Sequence, residues 1–290
     1  MSVGPTELID YYEILKAHME TDRDRWAGFD RGQQNTHDGL STSMRAALDR
    51  GEFFLVYQPI IRLADNCIIG AEALLRWQHP TLGTLLPGQF IDRAEANGLI
   101  VPLTAFVIEQ ACRHVHRWRD DSTDLPPFVS VNVSASTICD PGFLPLVESV
   151  LAETGLPAHA LQLELAEDAR LTRDEKSVTR LQELSALGVG IAIDDFGIGF
   201  SSLAYLPSLP VDVVKLAGKF IESLDGNIQA RLANEQITRA MIDLADKLGI
   251  TVTAKLVETP SQAARLRAFG CEAAQGWHFA RALPVSFFKE

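Results

Sequence analysis

The feature that most constrains the fold is a regular alternation of short apolar, β-rich runs with segments of helical periodicity. Eight such runs lie at residues 53–61, 68–77, 128–134, 161–167, 189–196, 211–217, 250–258 and 273–279. Helical patterns fill the gaps, for example at 87–97, 103–118, 141–154, 174–187, 235–248 and 261–269. This alternation predicts an α/β fold, specifically a (β/α)8 barrel. A doubly wound open sheet is the weaker alternative because no Gly-rich phosphate loop follows the first strand.

Composition and charge narrow the class of protein. The 290 residues are 47% hydrophobic, which is ordinary for a chain with a large core. A net charge of -12 argues against a DNA or RNA polymer bound over a broad face. The cysteines Cys67, Cys112, Cys139 and Cys271 have no close spacing, which favours reduced thiols. No membrane-span or signal-peptide pattern is found, so we expect a soluble, cytoplasmic protein that binds no membrane.

The N-terminal residues differ in pattern from the rest of the chain. Residues 1–22 carry apolar side chains at near-helical spacing, and residues 23–40 are polar and contain glycine. A helix-capping signal at Ser41 to Ser43 then precedes the first apolar run. We therefore divide the chain into an N-terminal helical extension and linker, residues 1–40, and a barrel domain, residues 41–290.

Polar residues recur at the ends of the predicted strands, where a barrel would place its chemistry. The clearest case is the run 189–196, in which an apolar strand ends in Asp194 and Asp195. Comparable positions hold Glu72, Asn132, Glu164, Glu167, Lys215, Lys255, Glu258 and Gln275. A single acid there is more often a helix cap or a surface ion pair. A whole ring of oxygen ligands predicts a hard cation such as Mg²⁺ or Mn²⁺.

A series of motifs runs along the chain in fixed order: AEALLRW, which contains Glu72-Ala73-Leu74, then FVSVNVS, LELAED, IDDFGIGFSSL, VVK, VET and GCEAAQG. From about Ser43 to the C-terminus, these motifs resemble the EAL family of cyclic di-GMP phosphodiesterases. The resemblance implies a modified (β/α)8 TIM-type barrel whose first strand is antiparallel. It also implies hydrolysis of cyclic di-GMP to linear pGpG, two divalent metal ions and a homodimer.

The resemblance assigns metal ligands residue by residue. It implies a first ion, Mg²⁺ or Mn²⁺, held by Glu72, Asn132, Glu164 and Asp194. Asp194 would bridge to a second ion, with Asp195 as a further ligand. Two such ions polarise a phosphodiester and generate hydroxide near neutral pH.

Catalytic and ligand-binding roles follow from the same resemblance. Lys215 would hold the nucleophilic water or neutralise transition-state charge, and Glu258 would support the metal site. Arg76 would face a ligand phosphate. The other residues implied to line the ligand site are Gln58, Leu74, Pro87 and Gln275.

One departure from the family pattern falls on a metal ligand. Lys255 stands where the family has a Glu that binds the second ion and is its proposed general base. An ammonium repels a cation by about 4 kcal/mol per pair of unit charges at 4 Å and an effective dielectric of 20. The second metal site should therefore be weak or absent. Ala166, Ile198 and Ala217 also replace polar residues that are usual in the family.

Two mechanisms remain open from the sequence. In the first, one metal ion supports residual hydrolysis and Lys255 supplies charge in place of the second, or acts as a base if its pKa is lowered. In the second, the domain binds cyclic di-GMP without cleaving it. A Schiff-base lysine at Lys215 or Lys255 and a protein-binding domain with an inert pocket are the remaining alternatives.

Overall fold

The computed structural model describes residues 39–121, 127–167, 175–198, 206–225 and 228–289. Residues 43–290 form one compact unit. Of the N-terminal extension and linker expected at residues 1–40, residues 1–38 lie outside the described residues, so the extension stays a prediction; residues 39 and 40 belong to a helix that runs from Gly39 to Asp49. No described helix is both long enough and apolar enough to span a membrane.

The strands form a closed barrel with two short additions. They are β1 (Phe53–Arg62), β2 (Ile68–His79), β3 (Gly83–Leu85), β4 (Val129–Asn132), β5 (Leu161–Ala166), β6 (Gly190–Phe196), β7 (Val213–Leu216), β8 (Thr251–Ala254), β9 (Ala273–Ala274) and β10 (Leu283–Pro284). The barrel order is β1-β2-β4-β5-β6-β7-β8-β9, and β9 pairs back onto β1. The predicted α/β barrel is therefore confirmed.

The first strand is antiparallel to both of its neighbours, as the family resemblance implied. A tight turn returns the chain from β1 to β2, with Asn66 at φ 59° and Asp65 accepting a hydrogen bond from the Cys67 N–H. Parallel neighbours require a long crossover, whereas a turn this short permits only an antiparallel pair. The remaining neighbours from β2 to β9 are joined in parallel.

Helices cover the barrel between the strands. They are α1 (Gly39–Asp49), α2 (Ile91–Ala96), α3 (Ile100–Asp121), α4 (Ala135–Ile138), α5 (Phe143–Thr154), α6 (Glu175–Ala186), α7 (Gly218–Glu222), α8 (Ile228–Lys247) and α9 (Pro260–Ala268). The helix expected at 87–97 is divided into a 3-10 turn, Pro87–Gln89, and α2. α9 begins with a capping box formed by Thr259 and Gln262.

Two predicted strands are shorter than the sequence pattern indicated. The runs 250–258 and 273–279 contain only the four residues of β8 and the two of β9. β8 ends at Ala254 because Leu256, at φ 54°, lies outside the extended region that a strand requires. The residues that follow β8 and β9 therefore belong to loops at the rim of the barrel.

An aromatic cluster packs the end of the chain against the first strand and α3. Tyr57 and Trp118 are fully buried, with ring centroids 4.8 Å apart. Phe288 stacks on Trp118 at 4.6 Å. Large buried aromatic surfaces contribute strongly to stability, so this cluster fixes the C-terminal segment on the barrel.

Candidate functional site

Strand register brings the predicted site residues to one end of the barrel. Asn132 on β4 pairs with Glu164 on β5, and Ala166 at the end of β5 pairs with Asp194 on β6. Paired residues share a face of the sheet, and side chains on that face recur every second residue. Glu164 and Asp194 therefore project toward the interior near the carboxyl ends of the parallel strands, where barrel enzymes build their sites.

A buried ion-pair cluster centres on Lys215. Its Nζ donates to Glu72 Oε2 at 3.0 Å and forms an ion pair with Glu164 Oε1. Glu72 also accepts hydrogen bonds from Asn132 Nδ2 at 2.8 Å and from Gln275 Nε2 at 2.6 Å. All three charged residues of the cluster are buried, so each charge depends on its partners.

The pKa values of Glu72 and Glu164 differ because both residues are buried but only Glu72 accepts amide hydrogen bonds. Burial raises the pKa of Glu72, but the Lys215 charge and the hydrogen bonds from Gln275 and Asn132 outweigh it and lower the pKa to about 2. Glu164 lacks the amide donors, and burial together with the Glu72 charge raises its pKa to about 7. One lysine therefore holds one strongly ionised and one weakly ionised carboxyl group.

Lys215 itself stays protonated. Burial lowers the pKa of its ammonium, but the charges of Glu164, Glu72 and Asp194 outweigh burial and raise the pKa above its usual value. A Schiff-base lysine must reach its neutral form to attack a carbonyl. The cluster therefore disfavours that alternative for Lys215.

The buried oxygens of Glu164 bear on whether the residues fit a metal ion. Neither carboxylate oxygen has a well-aligned hydrogen bond, and Oε2 also has no described ion-pair partner. Together with Glu72 and Asn132, Glu164 supplies the oxygen ligands that a hard divalent cation prefers. The donor set therefore fits a first metal ion, which would relieve the cost of the buried carboxylate.

A second ammonium lies on the aspartate pair. Lys255 Nζ donates to both Asp194 Oδ1 and Oδ2 at 2.7 Å, and to Asp195 Oδ1 at 3.1 Å. Burial lowers the pKa of Lys255, but Asp194 and Asp195 outweigh it and raise the pKa, which argues against a role as general base. The residues therefore do not fit a second metal ion in this arrangement.

Two lysines occupy the carboxylates that would otherwise be available to a metal ion. Among the described residues, no group of three or more His, Cys, Asp or Glu side chains is arranged to hold a metal ion. Lys215 and Lys255 instead take up the carboxylates of Glu72, Glu164 and Asp194. A metal ion ligated by Asp194 would have to compete with Lys255 for that side chain.

Three of the implied ligand-binding residues lie on the β1–β2 hairpin. Arg76 is half-buried, donates to the Leu75 carbonyl at 2.8 Å and makes no ion pair with a described residue. Leu74 shares its face of β2 with Glu72 and is half-buried. Gln58 accepts from Gln275 Nε2 at 3.2 Å, which joins it to the buried cluster. Arg76 thus carries a positive charge that interacts with the charge of Glu72 but makes no close ion pair with a described residue.

Two implied residues lie outside the cluster. Glu258 is exposed, and its side chain makes no hydrogen bond or ion pair with a described residue. Pro87 is half-buried at the start of the 3-10 turn that precedes α2. The structure thus places neither residue among the carboxylates.

One contact at the strand ends has no role predicted from the sequence. Glu167, a strand-end acid, accepts a hydrogen bond at its Oε2 from the Gly197 N–H at 2.8 Å. This bond joins the ends of β5 and β6 just beyond Asp195. Strand-end position was the only signal in the sequence, because a side-chain bond to a backbone amide leaves no pattern of its own.

Comparisons with known proteins identify the family and say nothing of individual side chains. A model of the EAL domain matches residues 41–282. An uncharacterized protein of Mycobacterium tuberculosis is 83% identical over 294 residues, covering 100% of this chain and 96% of that protein. The cyclic di-GMP phosphodiesterase NbdA of Pseudomonas aeruginosa is 40% identical over 251 residues, which cover 87% of this chain and 31% of NbdA.

Solved structures of EAL domains are also similar to this chain. The PaMucR phosphodiesterase in complex with c-di-GMP has a TM-score of 0.79 and 37% identity, covering 85% of this chain and 98% of that one. The EAL domain of Mycobacterium smegmatis DcpA has a TM-score of 0.66 and 30% identity, covering 82% of this chain and 95% of that one.

Proposed function

The chain belongs to the EAL domain family, and from this premise we propose that it hydrolyses cyclic di-GMP to linear pGpG with one divalent metal ion, at a rate reduced by Lys255. The observation that carries the proposal is the buried arrangement of Glu72, Lys215 and Glu164, with a Glu164 oxygen left unpartnered. Such a costly cluster is expected where it serves a ligand. A cytoplasmic location, expected from the sequence pattern, and a homodimer, implied by the family resemblance, remain part of the proposal.

The residues of the chain have separate roles in this proposal. Glu72, Asn132, Glu164 and Asp194 would hold Mg²⁺ or Mn²⁺, which when bound polarises a phosphodiester and lowers the pKa of water. Lys215 remains an ammonium and stabilises negative charge that develops on the phosphate. Arg76, which makes no close ion pair with a described residue, binds a ligand phosphate.

The reduced rate follows from the position of Lys255. Its ammonium neutralises part of the aspartate pair but supplies no metal-bound water, and its raised pKa keeps it from acting as a base. A site with one metal ion should turn over more slowly than a site in which two ions stabilise the attacking and the leaving oxygen.

A second candidate function is a cyclic di-GMP receptor that does not cleave its ligand. The observation in its favour is that Lys255 donates to both carboxylate oxygens of Asp194, which leaves that side chain poorly available to a metal ion. Arg76 and Lys215 would then bind the ligand phosphates through charge alone.

Product analysis separates the two functions. The full chain is incubated with cyclic di-GMP and either Mg²⁺ or Mn²⁺, pGpG is quantified by chromatography, and binding is measured by calorimetry. The phosphodiesterase predicts slow, metal-dependent formation of pGpG. Binding without any pGpG at saturating protein would leave the receptor function, and absence of both would remove cyclic di-GMP as the ligand.

Restoring the acid tests the role of Lys255. Lys255→Glu should raise the turnover number by about tenfold or more, because the second metal site regains a ligand and loses a repelling charge. Lys247→Glu makes the same charge change at an exposed position on α8 and should leave turnover unchanged. An equal rate in wild type and Lys255→Glu would show that Lys255 does not limit hydrolysis.

A further inference from the structure

The residue after Lys255 has an unusual backbone conformation for its type. Leu256 has φ 54°, in the left-handed region, and the residue is 45% exposed. A branched apolar residue adopts this conformation only when the surroundings enforce it. The segment at Lys255 and Leu256 is therefore held in place against an intrinsic preference for other conformations.

A glycine on the neighbouring helix makes room for Leu256. A Cβ built on Gly218, the first residue of α7, would lie 2.3 Å from Leu256 Cδ1 and 3.0 Å from its Cγ. Gly218 does not adopt a positive φ, so its backbone conformation does not require glycine. The absence of a side chain instead allows Leu256 to pack directly on α7.

The chain on the far side of Leu256 is also fixed. Val257 donates to the Gln275 carbonyl at 3.1 Å, and His278 donates back to the Val257 carbonyl at 2.9 Å. A Cβ on Gly276 would lie 2.2 Å from the Val257 backbone, so the two segments are in close contact. These contacts leave Lys255 between two anchored points, the end of β8 and Val257.

We propose that Leu256, packed on Gly218, is a positioning residue that holds the Lys255 ammonium on Asp194 and Asp195 as a fixed internal cation in place of a second metal ion. The three short contacts from Lys255 Nζ to the two aspartates are the contacts that this positioning secures. The inference concerns the same pocket as the proposed function and rests on it for the identity of the site. Its test measures ion binding, not hydrolysis.

The experiment counts Mn²⁺ ions bound per full-length chain, without nucleotide, from the loss of the free-ion electron paramagnetic resonance signal. Wild type and the conservative variant Lys255→Arg should each bind one ion. Lys255→Glu and Lys255→Met should each bind two, because the aspartates lose their internal cation. Lys255→Met keeps the test informative if Lys255→Glu does not fold.

Two variants test positioning by Leu256. Leu256→Gly and Gly218→Ala both keep Lys255 but loosen or displace its neighbour, and each should bind a second Mn²⁺ ion at concentrations where wild type binds only one. Leu187→Gly removes another exposed leucine, outside the site, and should bind like wild type. Adding Gly218→Ala to Leu256→Gly should have no further effect, because the two residues act through one contact.

The outcomes distinguish this inference from the proposed function. Two Mn²⁺ ions on wild type would overturn the internal cation, and wild-type behaviour of both Leu256→Gly and Gly218→Ala would overturn the positioning role. If wild type binds no Mn²⁺ but Lys255→Glu binds one, the first metal ion of the proposed function fails while the internal cation is supported.

Discussion

Lys215 is the residue on which the buried charges of the barrel depend. It is fully buried and pairs with both Glu72 and Glu164. Removing one partner of a buried pair leaves an uncompensated charge, which costs more than the pair itself contributed. The lysine therefore contributes to stability as well as to the proposed chemistry.

Replacing Lys215 by methionine should lower the free energy of unfolding by about 3 to 5 kcal/mol, because Glu72 and Glu164 lose their shared cation. Urea unfolding followed by circular dichroism measures the change. Lys247→Met, on the exposed face of α8, should stay within about 0.5 kcal/mol of wild type. A loss below about 1 kcal/mol for Lys215→Met would contradict the central role of the ion pair.

Glu164 should make the protein less stable as pH rises. Its pKa is raised from 4.5 to about 7 in the fold, so the native state retains a proton that the unfolded chain has released between these values. Stability should therefore fall by about 3 kcal/mol from pH 4.5 to pH 7 through this group and stay lower above pH 7. Glu164→Gln should remove this part of the pH profile measured by thermal unfolding.

The control for this profile is Glu153→Gln, an exposed position on α5 that should keep the wild-type dependence. Added Mg²⁺ should reduce the wild-type loss above pH 7, because a cation bound by Glu164 favours its ionised form. A Glu164→Gln profile identical to that of wild type would show that Glu164 is ionised normally.

At the scale of elements, the end of β6 is tightly packed between the site and α8. Gly197 has φ 95°, and a Cβ there would lie 2.4 Å from Met241 Cε and 2.8 Å from Phe220 Cε2. Its N–H is held by Glu167. The backbone that carries Asp194 and Asp195 is thus positioned from both sides.

Gly197→Ala should destabilise the protein by about 1 to 3 kcal/mol more than Gly249→Ala. Both glycines have positive φ, so both substitutions carry a backbone penalty, but a Cβ on Gly249 would meet no atom within 4 Å. The difference in urea midpoint at equal m-value therefore isolates packing against Met241 and Phe220. Equal losses would show that this packing is loose.

The sequence predicted the elements well where periodicity is sustained and poorly where it is not. The runs at 53–61 and 161–167 correspond closely to β1 and β5, and α3 covers the helix expected at 103–118. β3 and β10 have three and two residues, too few to show an alternating pattern. Lys255 stands where the family resemblance implies a ligand of the second ion, and its ammonium lies on Asp194 and Asp195. Glu258 is exposed in the loop after β8, and the apolar residues Leu256 and Val257 give no sign in the sequence that the strand has already ended.

At the scale of the molecule, the C-terminal segment helps to hold the barrel closed. β10 pairs with β1, and Phe288 packs on Tyr57 and Trp118. Phe288→Ala should therefore lower the free energy of unfolding by about 3 to 5 kcal/mol. Phe54→Ala, at a partly exposed position on the same first strand, should cost clearly less. If the two variants lose a similar free energy of unfolding in urea, the C-terminal contact has no special role in stability.

The pairing of β1 with β9 also has a consequence for synthesis of the chain. Ile61 pairs with Ala274, so the barrel closes only through residues that are far apart in the sequence. Such distant pairing is slow to form and leaves strand edges open until it does. Until residues 273–289 have emerged from the ribosome, the edges of β1 and β8 should therefore stay exposed, and the chain should need protection from aggregation.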